Sequence, residues 1–140
     1  MRKPNPLEAT VLEELGYKFK WWEISGNLDY CVVDTPNGER RVKICIRCYR
    51  PGHRYFTGVA WQLFDTVDEF VLRFSGEPHL YVLPASFLAK LWERCGRRTT
   101  GSNQFTFNVR TRGDIIENPC VSLSQYRRAA GAASPTPCPG

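Results

Sequence analysis

An aspartate and a lysine on adjoining strand-like segments are the residues of this chain with the most direct chemical use. Residues 28–34 and 39–48 read as two strands joined by a Pro36-Asn37-Gly38 turn, and Asn-Gly between strand patterns predicts an antiparallel hairpin. Asp29 opens the first strand, and Arg41-Val42-Lys43 lies near the start of the second. Side chains alternate faces along a strand, so Arg41, Lys43, Cys45 and Arg47 are expected on one face and Val42, Ile44 and Ile46 on the apolar other. The hairpin is expected to bring the Asp29 carboxylate close to the polar face. A guanidinium on that face forks naturally onto phosphate oxygens.

Charge points the same way. The net charge of +5 is concentrated in residues 39–54, where Arg40, Arg41, Lys43, Arg47, Arg50 and Arg54 face the single acid Glu39. Asp65, Asp68, Glu69 and Glu77 form an acidic counterweight further on. A localised basic face is the footprint of a polyanion ligand, because each neutralised phosphate releases condensed counterions. The same charges also fit a solvated strand edge protected against aggregation.

The surrounding elements can be read from local signals. Asn5-Pro6-Leu7-Glu8 is a helix start, with Asn5 as N-cap and Pro6 at the first helical position. Leu7, Val11, Leu12 and Leu15 recur at helical spacing, and Gly16 stops the helix. Residues 17–24 alternate as a strand, with Tyr17, Phe19 and Trp21 on one face and Lys18, Lys20 and Trp22 on the other. Residues 49–58 read as a Pro/Gly/Arg-rich loop, and 59–64 fit either a short strand or a helical turn. Strands are expected over 68–74, 79–83 and 104–110, and helices over 85–95 and 122–130. Helices interleaved with strands predict a single α/β domain over 1–130, with a mixed central sheet flanked by helices. The Ala/Pro-rich tail 131–140 is expected to be disordered.

A helix ending in Leu15-Gly16-Tyr17, a strand acid Asp29 and a facing strand lysine Lys43 resemble the core of the PD-(D/E)XK nuclease superfamily. The resemblance covers about residues 7–48, and weakly the later Tyr81-Val82-Leu83-Pro84 step. It implies a restriction-endonuclease-like fold, DNA or RNA as partner, and Mg²⁺ held by Asp29 with a second carboxylate. Lys43 would then position or activate the attacking water, while the cation stabilises charge building on the phosphate oxygens. In that superfamily an Asp or Glu, sometimes Gln, stands two residues before the lysine. Here that residue is Arg41. A guanidinium ~4 Å from a bound cation repels it by about 4 kcal/mol per pair of unit charges at an effective dielectric near 20. Glu39, on the same strand parity, or Glu8, where some members carry an auxiliary acid, would have to replace the missing ligand.

Other constellations compete for the same stretch. Cys45, Cys48 and His53, with Gly52, match the first three ligands of a zinc knuckle, but Gly58 stands at the fourth position and Cys45 lies inside a strand. Zinc is therefore not expected. Tyr49, Tyr55 and Trp22, beside Lys20, are the aromatic residues expected to stack on bases. The two histidines, His53 and His79, lack a nucleophile setting, and there is no phosphate-cradling glycine loop. The six cysteines are spread out, no secretion signal is read at the start, and no apolar run reaches the ~20 residues of a membrane span. A cytoplasmic location follows as an expectation.

These readings favour a nucleic-acid-binding protein on a catalytically degenerate nuclease-like domain. Arg40, Arg41, Arg47, Arg50 and Arg54 would hold the ligand, and the chain would serve as a subunit of a larger nucleoprotein machine, a mobile-element system or a homo-oligomer. An active Mg²⁺-dependent endonuclease using Glu39 or Glu8 and a protein-interaction module are the alternatives.

Overall fold

The computed structural model describes residues 2–47 and 54–129. Helix α1 (Pro6–Leu15) starts at a complete capping box: Asn5 Oδ1 accepts from the Glu8 amide at 2.8 Å, and Glu8 Oε1 accepts from the Asn5 amide at 2.9 Å. Gly16, at φ 71°, ends it in the left-handed conformation that favours glycine. Strands β1 (Lys18–Ser25), β2 (Leu28–Thr35) and β3 (Gly38–Arg47) form an antiparallel meander. The expected hairpin is present, with Thr35 opposite Gly38 and Asp34 opposite Glu39.

The two sides of β3 are used differently along its length. Its first half pairs with β2 as far as Cys31 opposite Val42. From Val42 onward its other side pairs in parallel with β5 (Glu69–Phe74). The main sheet is completed by β6 (His79–Pro84) and β10 (Arg127–Ala129), in the order β1-β2-β3-β5-β6-β10. A second, antiparallel sheet holds β4 (Arg54–Val59), β7 (Phe105–Arg110), β8 (Ile115–Glu117) and β9 (Val121–Ser122). Helix α2 (Ala85–Arg94) follows β6.

Three layers result. On one face of the main sheet, Val11 and Leu12 of α1 pack on Cys31, Val33, Val42, Val71 and Val82. On the other, Tyr30, Cys45, Leu72 and Phe74 meet Tyr55, Phe105 and Val109 of the second sheet and Leu88 of α2. Each fully buried large apolar side chain contributes about 1.5–3 kcal/mol, so the inter-sheet layer is the principal source of cohesion.

Four sequence expectations are corrected. A register shift between Phe19 and Trp21 breaks the alternation of β1, so Trp22 rather than Trp21 joins Tyr17 and Phe19 against the α1 layer. Part of the expected 49–58 loop is strand β4; residues 48–53, like 130–140, lie outside the described residues. The expected 122–130 helix is instead the end of β9, a 3-10 turn (Ser124–Tyr126) and β10. That segment lacks a helical apolar stripe, and as a strand it covers the otherwise open edge of β6. Finally, the Arg41/Lys43/Cys45/Arg47 face of β3 turns interior at Cys45 and Arg47, because the second sheet lies over them.

Candidate functional site

Three of the four predicted catalytic side chains meet at one corner of the main sheet. Glu8 comes from the first turn of α1, Asp29 from the start of β2 and Lys43 from β3. By strand parity Lys43 belongs to the face opposite Asp29, yet it reaches around the edge because the β2–β3 ladder has already ended at Cys31. Its Nζ donates to the Asp29 carbonyl at 2.7 Å and to Asp29 Oδ1 at 3.1 Å.

A fourth residue completes the corner. Arg2 donates through Nη1 to Glu8 Oε1 at 2.9 Å and through Nη2 to Asp29 Oδ2 at 2.8 Å. Its guanidinium lies 3.8 Å from the centre of the Trp22 ring, which the β1 bulge has turned to this side. The Arg2 hydrogen bond, reinforced by Lys43, holds the Asp29 carboxyl below its ordinary range. Sequence reading did not single out Arg2. Its only signal was a basic residue shortly before a capped helix whose first turn carries an acid.

The fourth predicted residue, Glu39, is elsewhere. It accepts from Lys20 Nζ at 2.7 Å beside the hairpin turn, and its partner Asp34 is five residues along β2 from Asp29, roughly 17 Å at strand rise. Arg41 is also displaced from its expected place beside Asp29. It lies on the opposite face of the sheet, with Nε 3.5 Å from Glu23 Oε2, and Glu23 also accepts from the Tyr30 hydroxyl at 2.7 Å. The positive charge between the carboxylates is therefore Arg2, not Arg41.

The basic stretch does not form one face. Arg40 is directed to the Glu39 carbonyl, and Arg54, on the second sheet, pairs with Glu117 at 3.0 Å. Arg47 is half-buried and donates to the Gly58 carbonyl at 2.9 Å, tying the two sheets together. Tyr55, expected at a ligand surface, is a core residue: it is 1% exposed and stacks on Phe74 at 4.5 Å between centroids. Tyr49, Arg50, Cys48 and His53 lie outside the described residues, and Cys45 is buried in the inter-sheet core. The strand rule correctly separated the two faces of β3, but it cannot say that a second sheet covers the polar one.

Glu8 and Asp29 supply two carboxylates, the number with which Mg²⁺ is often held, and each is already gripped by a cation. Among the described residues no three of His, Cys, Asp or Glu gather into a group able to hold a metal ion. Arg2 is half-exposed, so the corner opens to solvent on that side, while Lys43 is largely buried.

A second polar cluster escaped sequence reading altogether. His79 and Tyr81 of β6, Asp114 of the β7–β8 turn and Arg127 of β10 converge beside the buried Glu77. Their spacing in sequence carries no motif; tertiary pairing alone assembles them. No helix among the described residues is long and apolar enough to cross a membrane. No protein-family model, no curated protein and no solved structure matches this chain.

Proposed function

We propose that the chain is a nucleic-acid-binding protein, built on a nuclease-like scaffold whose metal-dependent step is blocked. The observation that carries this reading is Arg2 bridging Glu8 and Asp29, with Lys43 on the other Asp29 oxygen. A helix-borne acid, a strand acid and a strand lysine at one corner are what the PD-(D/E)XK resemblance implies, and the restriction-endonuclease-like fold assignment rests on the same corner. An internal guanidinium there competes with a divalent cation for both carboxylates. The net charge of +5 supports a polyanionic partner, DNA or RNA, and the half-exposed Arg40 and Arg41 add positive charge on the two faces of β3. A role as a cytoplasmic subunit of a larger nucleoprotein assembly belongs to the same proposal.

The test incubates wild type, Arg2→Ala and Asp29→Ala with plasmid and single-stranded substrates, with and without Mg²⁺ or Mn²⁺. Salt-sensitive binding without cleavage by wild type is the expected result. Robust wild-type cleavage that disappears in Asp29→Ala would establish the active endonuclease instead. Absence of binding to any nucleic acid would leave the protein-interaction module.

A further inference from the structure

The cleft bounded by the β5–β6 turn, the β7–β8 turn and β10 has a volume of about 640 Å³, within the range of small-molecule sites. Glu77, His79, Thr111, Arg112 and Arg127 are among the residues lining it. Behind its wall, from His79 and Arg127 inward, runs an ordered hydrogen-bond chain. The Tyr81 hydroxyl donates to Asp114 Oδ1 at 2.6 Å, and Arg127 Nη1 donates to Asp114 Oδ2 at 3.2 Å. His79 Nε2 lies 3.0 Å from the Tyr81 oxygen. A phenol has one proton and Asp114 receives it, so Nε2 is the donor to Tyr81. The neutral ring then carries its lone pair on Nδ1, which has no partner among the described residues.

Two further features mark the cleft as built. Asp114 is buried and holds φ 54°, a left-handed conformation uncommon for a non-glycine residue. Arg112 is exposed and makes no ion pair among the described residues, while Arg127 commits only one nitrogen to Asp114. The cleft is therefore lined by two arginines and by a histidine whose Nδ1 lone pair has no partner among the described residues.

We propose that this cleft binds a phosphate monoester, with Arg112 and Arg127 taking its anionic oxygens and its P–OH donating to His79 Nδ1. A phosphate monoester fits this pattern because its second pKa near 6 leaves a donor proton on part of the ligand at neutral pH. Sulfate and ionised carboxylates have the charge but no proton to give. Burial lowers the His79 pKa, which keeps the acceptor form in place, with Asp114, Glu77, Arg127 and Arg73 as the charged groups around the ring. The inference is independent of the nuclease-like reading.

The test is calorimetric and NMR titration of the full chain with inorganic phosphate, sulfate, a nucleoside monophosphate and the parent nucleoside at pH 6.5. Phosphate and the monophosphate should bind saturably, with sulfate about tenfold weaker or more, as expected when a part-buried neutral acceptor is left without a donor partner. Arg112→Ala, a surface change, should weaken phosphate about tenfold, and Arg94→Ala, on α2, should not. A 5′-phosphorylated oligonucleotide compared with its unphosphorylated twin separates a strand end from a free ester as the source. No saturable phosphate binding, equal affinity for sulfate, or an Arg112→Ala protein that binds as wild type would each overturn the assignment.

Discussion

Arg73 of β5 and Glu14 of α1 form an ion pair at 3.2 Å whose side chains are 5% and 0% exposed. The same guanidinium donates to the carbonyls of Glu77 at 2.6 Å and His79 at 2.8 Å, so it joins the helix to the β5–β6 turn. Burial raises the Glu14 carboxyl above its ordinary value, and Arg73 opposes that rise. Removing one partner leaves a buried, uncompensated charge. Glu14→Ala should therefore cost about 3–5 kcal/mol, whereas Glu14→Leu combined with Arg73→Met should recover much of the loss. Urea denaturation reads both, and a Glu14→Ala midpoint close to wild type would refute the assignment.

The pH dependence of the corner has a definite sign. The folded Asp29 carboxyl titrates below its ordinary 3.8, so its contribution to stability is present above that pH and is lost as pH falls through the folded value. Arg2→Ala removes the first cause of the depression. The Asp29 titration midpoint, followed by carboxyl NMR, should move up toward 3.8, with Lys43 limiting the recovery. An unmoved midpoint would mean that Arg2 does not hold the carboxylate in solution.

Arginines of the basic stretch should separate into two behaviours. Arg41→Glu, on an exposed side chain, should weaken nucleic-acid binding and flatten its salt dependence while leaving the melting temperature nearly unchanged. Arg47→Glu should instead destabilise the fold by about 1–3 kcal/mol, because the Gly58 carbonyl loses its donor and a carboxylate takes its place. Fluorescence anisotropy across a salt series, paired with thermal melts, distinguishes them. Equal melting temperatures for the two variants would contradict the sheet-bridging role of Arg47.

Thiol chemistry offers a check on layer assignment. Cys31 lies buried under α1, where burial pushes its thiol up to about 12, while Cys120 is exposed. Peptide-resolved alkylation at pH 8 should modify Cys120 rapidly and Cys31 only on unfolding. Rapid native-state labelling of Cys31 would place α1 wrongly.

Local signals were legible in the sequence, and contacts assembled at a distance were not. The capping box and the Asn37-Gly38 hairpin turn act within a few residues, so they located α1 and the β2–β3 pair. The bulge after Phe19 has no residue signature, and it reversed the faces of Trp21 and Trp22. Arg41 was read correctly as facing away from Val42, but its distance from Asp29 depends on where the β2–β3 ladder stops. Arg2 and the His79–Tyr81–Asp114 chain come from segments whose meeting is decided by sheet order. The misread β10 hid the last wall of the cleft.

Glu8 Oε1 accepts from both the Asn5 amide and Arg2, each at 2.9 Å. One oxygen atom thus belongs at once to the start of a helix and to the corner that would meet a ligand. Any cation that draws Glu8 away loosens the capping box, a device worth about 1 kcal/mol. Occupancy of the corner and fraying of the first turn of α1 are consequently linked equilibria, and hydrogen exchange at the Asn5 amide becomes a remote gauge of what sits on Glu8.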